Sequence, residues 1–446
     1  MTTLSKPMKK FSPVAKAAMD YYQSQATRLI QAEGEGHALA RFRQAALHHF
    51  VEQGFPTRKD EDWQFTPLSN FLKTHYHFNG VSQFDKASIA KIKPPVDAWH
   101  LVFVDGCFSE ALSDDLVKLP KGVSIESGKD ALDFEQGFRV FAKHEDEIEQ
   151  DAFGMLNAML FDDGVFIELA AHTHLDKPIA ISYVQTLKDH ANTTRNKIKL
   201  GVGSQLQLIE QYVALDDACG FENSVCEIEL AEQAQMSQVV WQNLPDQAMY
   251  FNNQFIDLAE QSQFKTHYAG LGGAISRHQN HIQMAGDRIE SEQNSICFAR
   301  NQQIMDTRTY TGHKAENGLS RQLHKLVLTD QAIGVFNGMI KVDQIAQKTD
   351  GMMDNKNLLL SNKAQMNAKP QLEIYADDVK CSHGSASGQI SADQIFYLQA
   401  RGLSKQQARQ LVTLAFLMEP LETVSGAATQ VWLQKALATS VTPHLN

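Results

Sequence analysis

The amino-acid sequence predicts a mainly β protein with helical regions at both ends. From about residue 161 to residue 390, apolar residues recur at every second position, as they do when successive strand side chains point to opposite faces. Before and after this stretch the apolar spacing is helical. No amphipathic helix separates the strands, which excludes a sheet of βαβ units. We therefore predict three regions: residues 1–160, 161–390 and 391–446.

The first region is predicted to be mostly helical. Apolar residues between positions 39 and 50 recur at helical spacing, and Gly54 ends this helix. A further helix is predicted at residues 151–160 and a short strand at residues 101–104. Between these elements, residues 54–68 (GFPTRKDEDWQFTPL) mix charges with aromatic rings. We interpret them as a loop that packs Trp63 and Phe65 against a helix and leaves its charges in solvent.

The middle region contains many short predicted strands. They lie at residues 165–169, 198–202, 226–230, 238–244, 295–299, 323–328 and 333–342. So many short strands fit a sandwich, a barrel or a stacked β-solenoid, and no exact internal repeat chooses among them. The many Gln and Asn residues would suit stacked coils, in which side-chain amides can form ladders.

Two amphipathic helices are predicted after the strands. Ser391 with Gln394 and Ser404 with Gln407 have the spacing of capping boxes, and Gly402 ends the first helix. The second helix carries an apolar stripe formed by Ala408, Leu411, Val412, Ala415 and Phe416. These helices either cap the β region or present an apolar face to a partner.

Composition narrows the class of protein. The formal net charge is −11, from 41 basic and 52 acidic residues that are interspersed, which argues against a nucleic-acid or anionic-membrane surface. The first eleven residues lack the apolar stretch of a signal peptide and no segment is apolar enough to cross a bilayer, so we predict a cytoplasmic protein. Five dispersed cysteines without a C-x-x-C pair exclude a disulfide framework and a self-contained zinc or iron–sulfur site.

Common catalytic motifs are missing from the sequence. There is no P-loop, no zinc-protease motif and no hydrolase nucleophile elbow, and the glycines at residues 270–273 lack dinucleotide-binding spacing. We therefore predict no catalytic residue and no nucleotide bound by this chain. The pairs His172 with His174 and His278 with His281 are interpreted as surface polar residues.

Residues 369–384 (KPQLEIYADDVKCSHG) are the strongest candidate for chemistry. They read as two strands joined at a turn at Asp377 and Asp378. The second strand places Cys381 and His383 on one face. A thiol and an imidazole are ligands that suit iron or zinc, but two ligands make only half of a metal site.

The same residues carry a family resemblance. Residues 369–384, followed by residues 396–402 (FYLQARG), closely resemble the SufB/SufD family of the SUF iron–sulfur cluster assembly system. Residues 54–68, 157–164 (NAMLFDDG) and 334–338 (GVFNG) also match, so the resemblance covers nearly the whole chain.

The residues around the histidine point to the SufD branch of this family. Gly384 follows His383 here, where the SufB branch tends to carry His-Glu-Ala-Thr. Residues 385–388 (SASG) depart from the more usual Ala-Thr-Val-Gly. That is a change between small residues and should leave His383 in place.

The resemblance implies a fold and a set of partners. The fold is a right-handed parallel β-helix flanked by helical N-terminal and C-terminal domains. The function is that of a scaffold subunit rather than an enzyme, pairing with a SufB-type subunit through the β-helix and carrying a SufC-type ATPase on its C-terminal helices. The resemblance also implies indirect contact with a sulfur donor and with cluster acceptors. It allows a flavin at the level of the complex, and a homodimer when the chain is isolated.

The resemblance also implies site residues. A transient iron–sulfur cluster would be shared with the SufB-type subunit, and His383 would be the ligand from this chain. Cys381 matches a family cysteine that is either a second metal ligand or a packing residue. The predicted ATPase-binding residues are Ile395, Phe396, Leu398, Arg401, Gly402, Leu411 and Phe416.

Two other functions compete with the scaffold. A β-helix enzyme acting on polysaccharide would need clustered carboxylates on one face of the coils, and the sequence shows no such cluster. A purely structural partner of a SufB-type subunit would use His383 only for packing. Replacing His383 separates this last function from that of the scaffold.

Overall fold

The computed structural model describes residues 11–34, 37–78, 80, 82, 84–127, 151–216 and 218–445. The helices are α1 (Pro13–Glu33), α2 (Ala38–Gln53), α3 (Lys86–Ile92), α4 (Ala152–Leu160), α5 (Ala392–Gln399), α6 (Lys405–Met418) and α7 (Ala427–Val441). The strands are β1 (Trp99–Val104), β2 (Cys107–Phe108), β3 (Val123–Ser127), β4 (Val165–Leu169), β5 (Ile179–Gln185), β6 (Ala191–Leu200), β7 (Gln205–Ala214), β8 (Phe221–Leu230), β9 (Gln235–Leu244), β10 (Met249–Leu258), β11 (Gln263–Gly272), β12 (Ile275–Met284), β13 (Glu290–Ala299), β14 (Ile304–His313), β15 (Leu319–Leu328), β16 (Ile333–Val342), β17 (Asp350–Leu359), β18 (Gln365–Ile374) and β19 (Lys380–Gly388).

These strands form a parallel β-solenoid of about eight turns. Consecutive strands alternate between two sheets, so that odd-numbered strands from β5 to β19 lie in one and even-numbered strands from β4 to β18 in the other. Each strand pairs in parallel with the strand one coil away. At the first coil, β1 pairs with β5 and β3 pairs antiparallel with β4. The expected β-helix with helical regions at both ends is confirmed.

The turns between the two sheets repeat one backbone conformation in each coil. A non-glycine residue with positive φ occurs at Gln233, Gln261, Arg288, Asn317 and Lys348. The backbone N–H of each donates to a carbonyl in the turn of the next coil, which offsets the cost of the left-handed conformation. The last of these bonds reaches Asp378, so the turn predicted at Asp377 and Asp378 is confirmed.

The N-terminal region covers the outer face of the sheet of even-numbered strands. Helices α1, α2 and α4 pack there with Trp63, whose ring stacks on Phe153 of α4 at 5.4 Å between centroids. The predicted packing of Trp63 is therefore confirmed. Phe65, however, is 38% exposed, so its predicted packing was wrong. The charges of the loop stay in contact with solvent as expected, since the side chains of Glu61 and Asp62 are 75% and 62% exposed, although Asp62 also forms an ion pair with Arg308.

The C-terminal helices cover the outer face of the other sheet. Helix α7, which lies in the predicted helical region 391–446 but was not predicted as a separate helix, packs Leu433 and Leu437 into the cluster that contains Trp241 and Phe298 of β9 and β13. These helices therefore lie along the side of the coil stack and leave the end of the stack uncovered.

The capping residues and buried faces of α5 and α6 agree only partly with the sequence prediction. The capping box of Ser404 and Gln407 is complete, whereas Ser391 accepts a hydrogen bond from the N–H of Asp393 instead. On α6 the buried positions are Ala408, Thr413 and Leu417. The predicted stripe is thus rotated, since Leu411 is half exposed and Ala415 is exposed.

The interior of the coils is more polar than expected. His278 is buried and stacks on Tyr268 with centroids 4.0 Å apart, and burial lowers its pKa to about 3. The interpretation of His278 as a surface residue was wrong, because side chains alternate between the two faces of β12 and His278 lies on the inward face. His172 and His174 are exposed as expected.

The buried carboxyl of Glu222 makes stability depend on pH. Burial raises its pKa to about 8 although Gln185 and Asn192 donate hydrogen bonds to it. Above about pH 4.5 the unfolded chain releases a proton that the folded chain keeps, so stability falls as pH rises towards 8. We expect Glu222→Gln to reduce this fall by up to about 1.4 kcal/mol per pH unit, measured by urea unfolding between about pH 5 and about pH 7. Equal slopes for the wild type and Glu222→Gln would contradict this prediction, and Glu168→Gln, at a side chain that is 42% exposed, serves as control.

Candidate functional site

The candidate site lies at the open end of the solenoid. Strand β18 is the last strand of one sheet and β19 the last strand of the other. Within the described residues, no strand pairs with the outer edge of either. Most side chains of these two strands are exposed or half-buried, unlike those of the preceding coils. Unpaired backbone N–H and C=O groups on both edges are therefore available to another chain.

The register of β19 fixes the direction of both predicted metal ligands. Cys381 lies beside Gly351 and His383 beside Met353 of β17. Met353 is buried in the apolar interior of the last coils, and paired residues of neighbouring strands share a face. Cys381 and His383 therefore share the inward face, as the alternation predicted. His383 is nevertheless exposed, because β19 is the last strand of its sheet among the described residues.

Cys381 is the more enclosed of the two. Its thiol packs against the interior cluster that contains Ile340 and Met353, and a Cβ added to Gly351 would lie 3.4 Å from its Sγ. Burial raises the pKa of Cys381, with only partial compensation by a hydrogen bond from the Gly351 backbone. A thiol held protonated is a weaker metal ligand than an exposed imidazole, because the thiolate is the coordinating form.

Gly384 leaves room for a carboxylate on the opposite face. It pairs with Asp354, and a Cβ at position 384 would lie 3.0 Å from the Asp354 Oδ1. A glutamate at this position would bring two carboxylates close together. A small residue after His383 therefore suits this chain.

The serines that follow His383 secure the edge strand. The Ser385 hydroxyl donates to Asn355 Oδ1 at 3.1 Å, and Asn357 Nδ2 donates to Ser387 Oγ at 3.2 Å. Asn355 and Asn357 also bond to each other. The residues that depart from the family pattern thus make hydrogen bonds that alanine or valine could not make.

The described residues contain no group of three or more His, Cys, Asp and Glu side chains arranged to hold a metal ion. Cys381 and His383 are therefore at most a partial ligand set within the part of the chain that the structure describes. A neutral imidazole can donate one nitrogen to iron, and other ligands would have to come from elsewhere.

A second candidate surface is formed by α5 and α6. Phe396 and Leu411 are 73% and 50% exposed, and Arg401 and Gly402 are also exposed. Tyr397, which the sequence reasoning missed although it adjoins Phe396, is 56% exposed, and its ring lies 4.7 Å from the Arg401 guanidinium carbon. Large exposed apolar side chains on neighbouring helices are typical of a partner surface.

The other predicted ATPase-binding residues lie deeper. Ile395 is buried, and Leu398 and Phe416 are half-buried. The ammonium of Lys325 lies 4.3 Å from the centre of the Phe416 ring and donates to the Phe416 carbonyl at 2.9 Å. Lys325 also pairs with Glu419. Phe416 therefore holds α6 on the solenoid, whatever else it contacts.

An open-ended solenoid with exposed helices beside it has the form of a subunit that associates with other chains. Residues 14–181 match the family model for the SufBD protein N-terminal region. Residues 183–416 match the model for the SufBD core domain of the SUF iron–sulfur cluster assembly system. The chain belongs to the SufBD family.

Several relatives carry names from this system. The iron–sulfur cluster assembly protein SufD of Escherichia coli is 33% identical over 394 residues, which cover 87% of this chain and 90% of the relative. A SufBD family protein of Synechocystis is 30% identical over 417 residues, covering 91% of each chain. SufD of Bacillus subtilis is 24% identical over 281 residues, covering 63% of this chain and 64% of the relative.

Family membership supports a role in iron–sulfur cluster assembly with partners of the SUF system. None of the described helices is long and apolar enough to cross a membrane.

Proposed function

We propose that the chain is a non-catalytic, SufD-type scaffold subunit on which an iron–sulfur cluster is assembled. The observation that carries this proposal is the exposed His383 at the end of the solenoid, next to two strand edges that pair with no other described strand. An imidazole in that position can reach a metal held partly by another chain. That the metal would be part of an iron–sulfur cluster is inferred from family membership.

The proposed partner at the open end is a SufB-type subunit. Edges of β18 and β19 can accept strands of another chain, because their outer N–H and C=O groups have no partner strand within the described residues. Ile374 and Tyr375 at the end of β18 are exposed, and strand pairing would remove their apolar surface from water, which is favourable. His383 would then face the partner, and the transient cluster would lie between the two subunits as cargo.

The proposed partner at α5 and α6 is a SufC-type ATPase. ATP binding and hydrolysis would belong to that partner, in keeping with a sequence without a P-loop. Phe396 and Leu411 supply exposed apolar area for docking. A sulfur donor, cluster acceptors and a flavin would act at the level of the complex, in the cytoplasm.

Co-purification tests this proposal directly. We expect a tagged full-length chain, expressed with its SufB-type and SufC-type partners, to purify as one complex that contains iron and acid-labile sulfide. The chain expressed alone should hold neither, because the residues that the structure describes supply only part of a ligand set. A chain that purifies without either partner, or a complete complex that holds no iron after reconstitution, would rule the proposal out.

A further inference from the structure

A row of polar side chains leads across the outer face of the even-numbered sheet to its free edge. Gln279, Arg308, Asn337 and Lys369 occupy equivalent positions on β12, β14, β16 and β18, in register from one strand to the next. The row therefore ends on the strand that borders the open end.

Residues 61–66 of the N-terminal region lie across this row, and we call them the brace. The Asp62 carbonyl oxygen accepts hydrogen bonds from Arg277 Nη1 and Arg308 Nη1, both at 3.0 Å. The Asp62 carboxylate pairs with Arg308 and accepts a bond from Asn337 Nδ2 at 3.3 Å. Glu61 pairs with Lys369. The brace thus contacts four successive strands of one sheet.

The inner end of the brace is firmly anchored. The Trp63 ring lies 3.8 Å from the Arg277 guanidinium carbon, and Arg277 forms a buried ion pair with Asp306. Thr66 donates a hydrogen bond to Asp306 at 2.7 Å. Breaking a buried pair of this kind is strongly unfavourable, so these contacts fix the position of the brace on β12 and β14.

The outer end of the brace is exposed to solvent. The side chains of Glu61 and Lys369 are 75% and 44% exposed. Burial alone would raise the pKa of Asp62, but Arg308, Arg277 and Lys369 outweigh it and hold that pKa below its usual value. The Asp62 carboxylate therefore stays charged at neutral pH. The exposed contact of Glu61 with β18 is the one most easily lost.

Strand β18 needs support from outside its sheet. Among the described strands it has a neighbour on one side only, and Pro370, next to Lys369, has no backbone N–H to contribute to the ladder. Edge elements with few buried contacts open most readily. A side-chain contact from the anchored brace restricts this opening.

We propose that the brace positions β18 for strand pairing, so that the N-terminal region sets the geometry of the partner surface. Glu61 and Lys369 are then positioning residues: they hold the edge strand without touching the metal. This inference rests on the proposed pairing at the open end. It gives a further role to residues 61–66, which belong to the loop whose charges were expected to stay in solvent.

Hydrogen exchange of the isolated chain tests the brace without any partner. We expect Glu61→Gln to speed amide exchange in a peptide covering residues 365–374 by roughly threefold, the size expected for loss of an exposed ion pair. The charge reversal Glu61→Lys with Lys369→Glu should restore the wild-type rate. Glu168→Gln removes the similarly exposed pair with Lys199 at the other end of the same sheet, and should leave this peptide unchanged. Unchanged exchange in Glu61→Gln would overturn the proposal, as would failure of the reversal to restore it.

Affinity for the SufB-type subunit provides the second measurement. Glu61→Gln should weaken pairing by roughly threefold, and the charge reversal should restore it. Faster exchange with unchanged affinity would show that β18 is braced but that its position does not govern pairing, which would also overturn the proposal. A wild-type chain that does not bind the subunit at all would instead refute the proposed function, whatever the exchange data show.

Discussion

His383→Ala is expected to abolish cluster assembly in the reconstituted complex while leaving the complex itself intact. The side chain is exposed on the last strand, so its removal creates no cavity and should change stability by less than about 0.5 kcal/mol. What is lost is the imidazole nitrogen that this chain would donate to iron. Iron and sulfide content after anaerobic reconstitution is the measurement, with co-purification of the partners as the check on assembly.

Cys381→Ala is the matched comparison, because Cys381 lies two residues away on the same face. If the thiol only packs, this variant should retain assembly and lose some stability, since Cys381 contacts the interior cluster of the last coils. If both residues are ligands, both variants should fail. Normal assembly by His383→Ala would refute the ligand assignment and leave the chain as a purely structural partner.

The class of fold could be predicted from strand periodicity, but the solenoid could not be separated from a sandwich or barrel. Alternation reports only that one face of each strand is buried, and all three architectures share that property. A repeat was nevertheless present: residues 230–235 (LAEQAQ) and 258–263 (LAEQSQ) differ at one position. Both span the turn between sheets, where Gln233 and Gln261 have positive φ. Elsewhere the repeat is hidden because turns of different sequence adopt the same conformation.

Burial of individual side chains was harder to predict than strand position. His278 lies inside the coils although its residue type suggests a surface, because the interior accepts polar groups that stack or hydrogen-bond. The stripe on α6 was misplaced because Lys325 and the 3₁₀ turn at Glu419–Thr423 hold the helix at its C-terminal end. The Lys325 contact has no local sequence signal, since Lys325 and Phe416 lie some ninety residues apart.

The candidate site could be predicted only in part, because local alternation gives the face of a side chain but not whether that face is covered. Residue type and alternation place Cys381 beside His383 on one face, and the structure agrees. The exposure of that face depends on β19 being the last strand of its sheet, a property of the whole stack that no local pattern carries. Likewise, the ion pairs of Glu61 and Asp62 could not be predicted, because the row of side chains that they meet is assembled from four distant strands.

Phe396→Asp is expected to abolish binding of the SufC-type ATPase while pairing with the SufB-type subunit is retained. Phe396 is 73% exposed on α5, so the substitution should hardly change the free energy of unfolding. A buried aromatic anchor at an interface contributes at least about 2 kcal/mol, and a charge in its place adds a desolvation cost, so affinity should fall by at least roughly thirtyfold. Titration calorimetry with the purified ATPase measures this directly.

Val431→Asp on α7 is the matched control, because Val431 is 63% exposed on a C-terminal helix outside the proposed docking surface. It introduces the same charge at a similarly exposed apolar position and should leave ATPase affinity unchanged. Equal loss in both variants would point to a general effect of charge near the C-terminus. Unchanged affinity in Phe396→Asp would mean that α5 and α6 serve only to cover the sheet, and the ATPase would have to bind elsewhere on the chain.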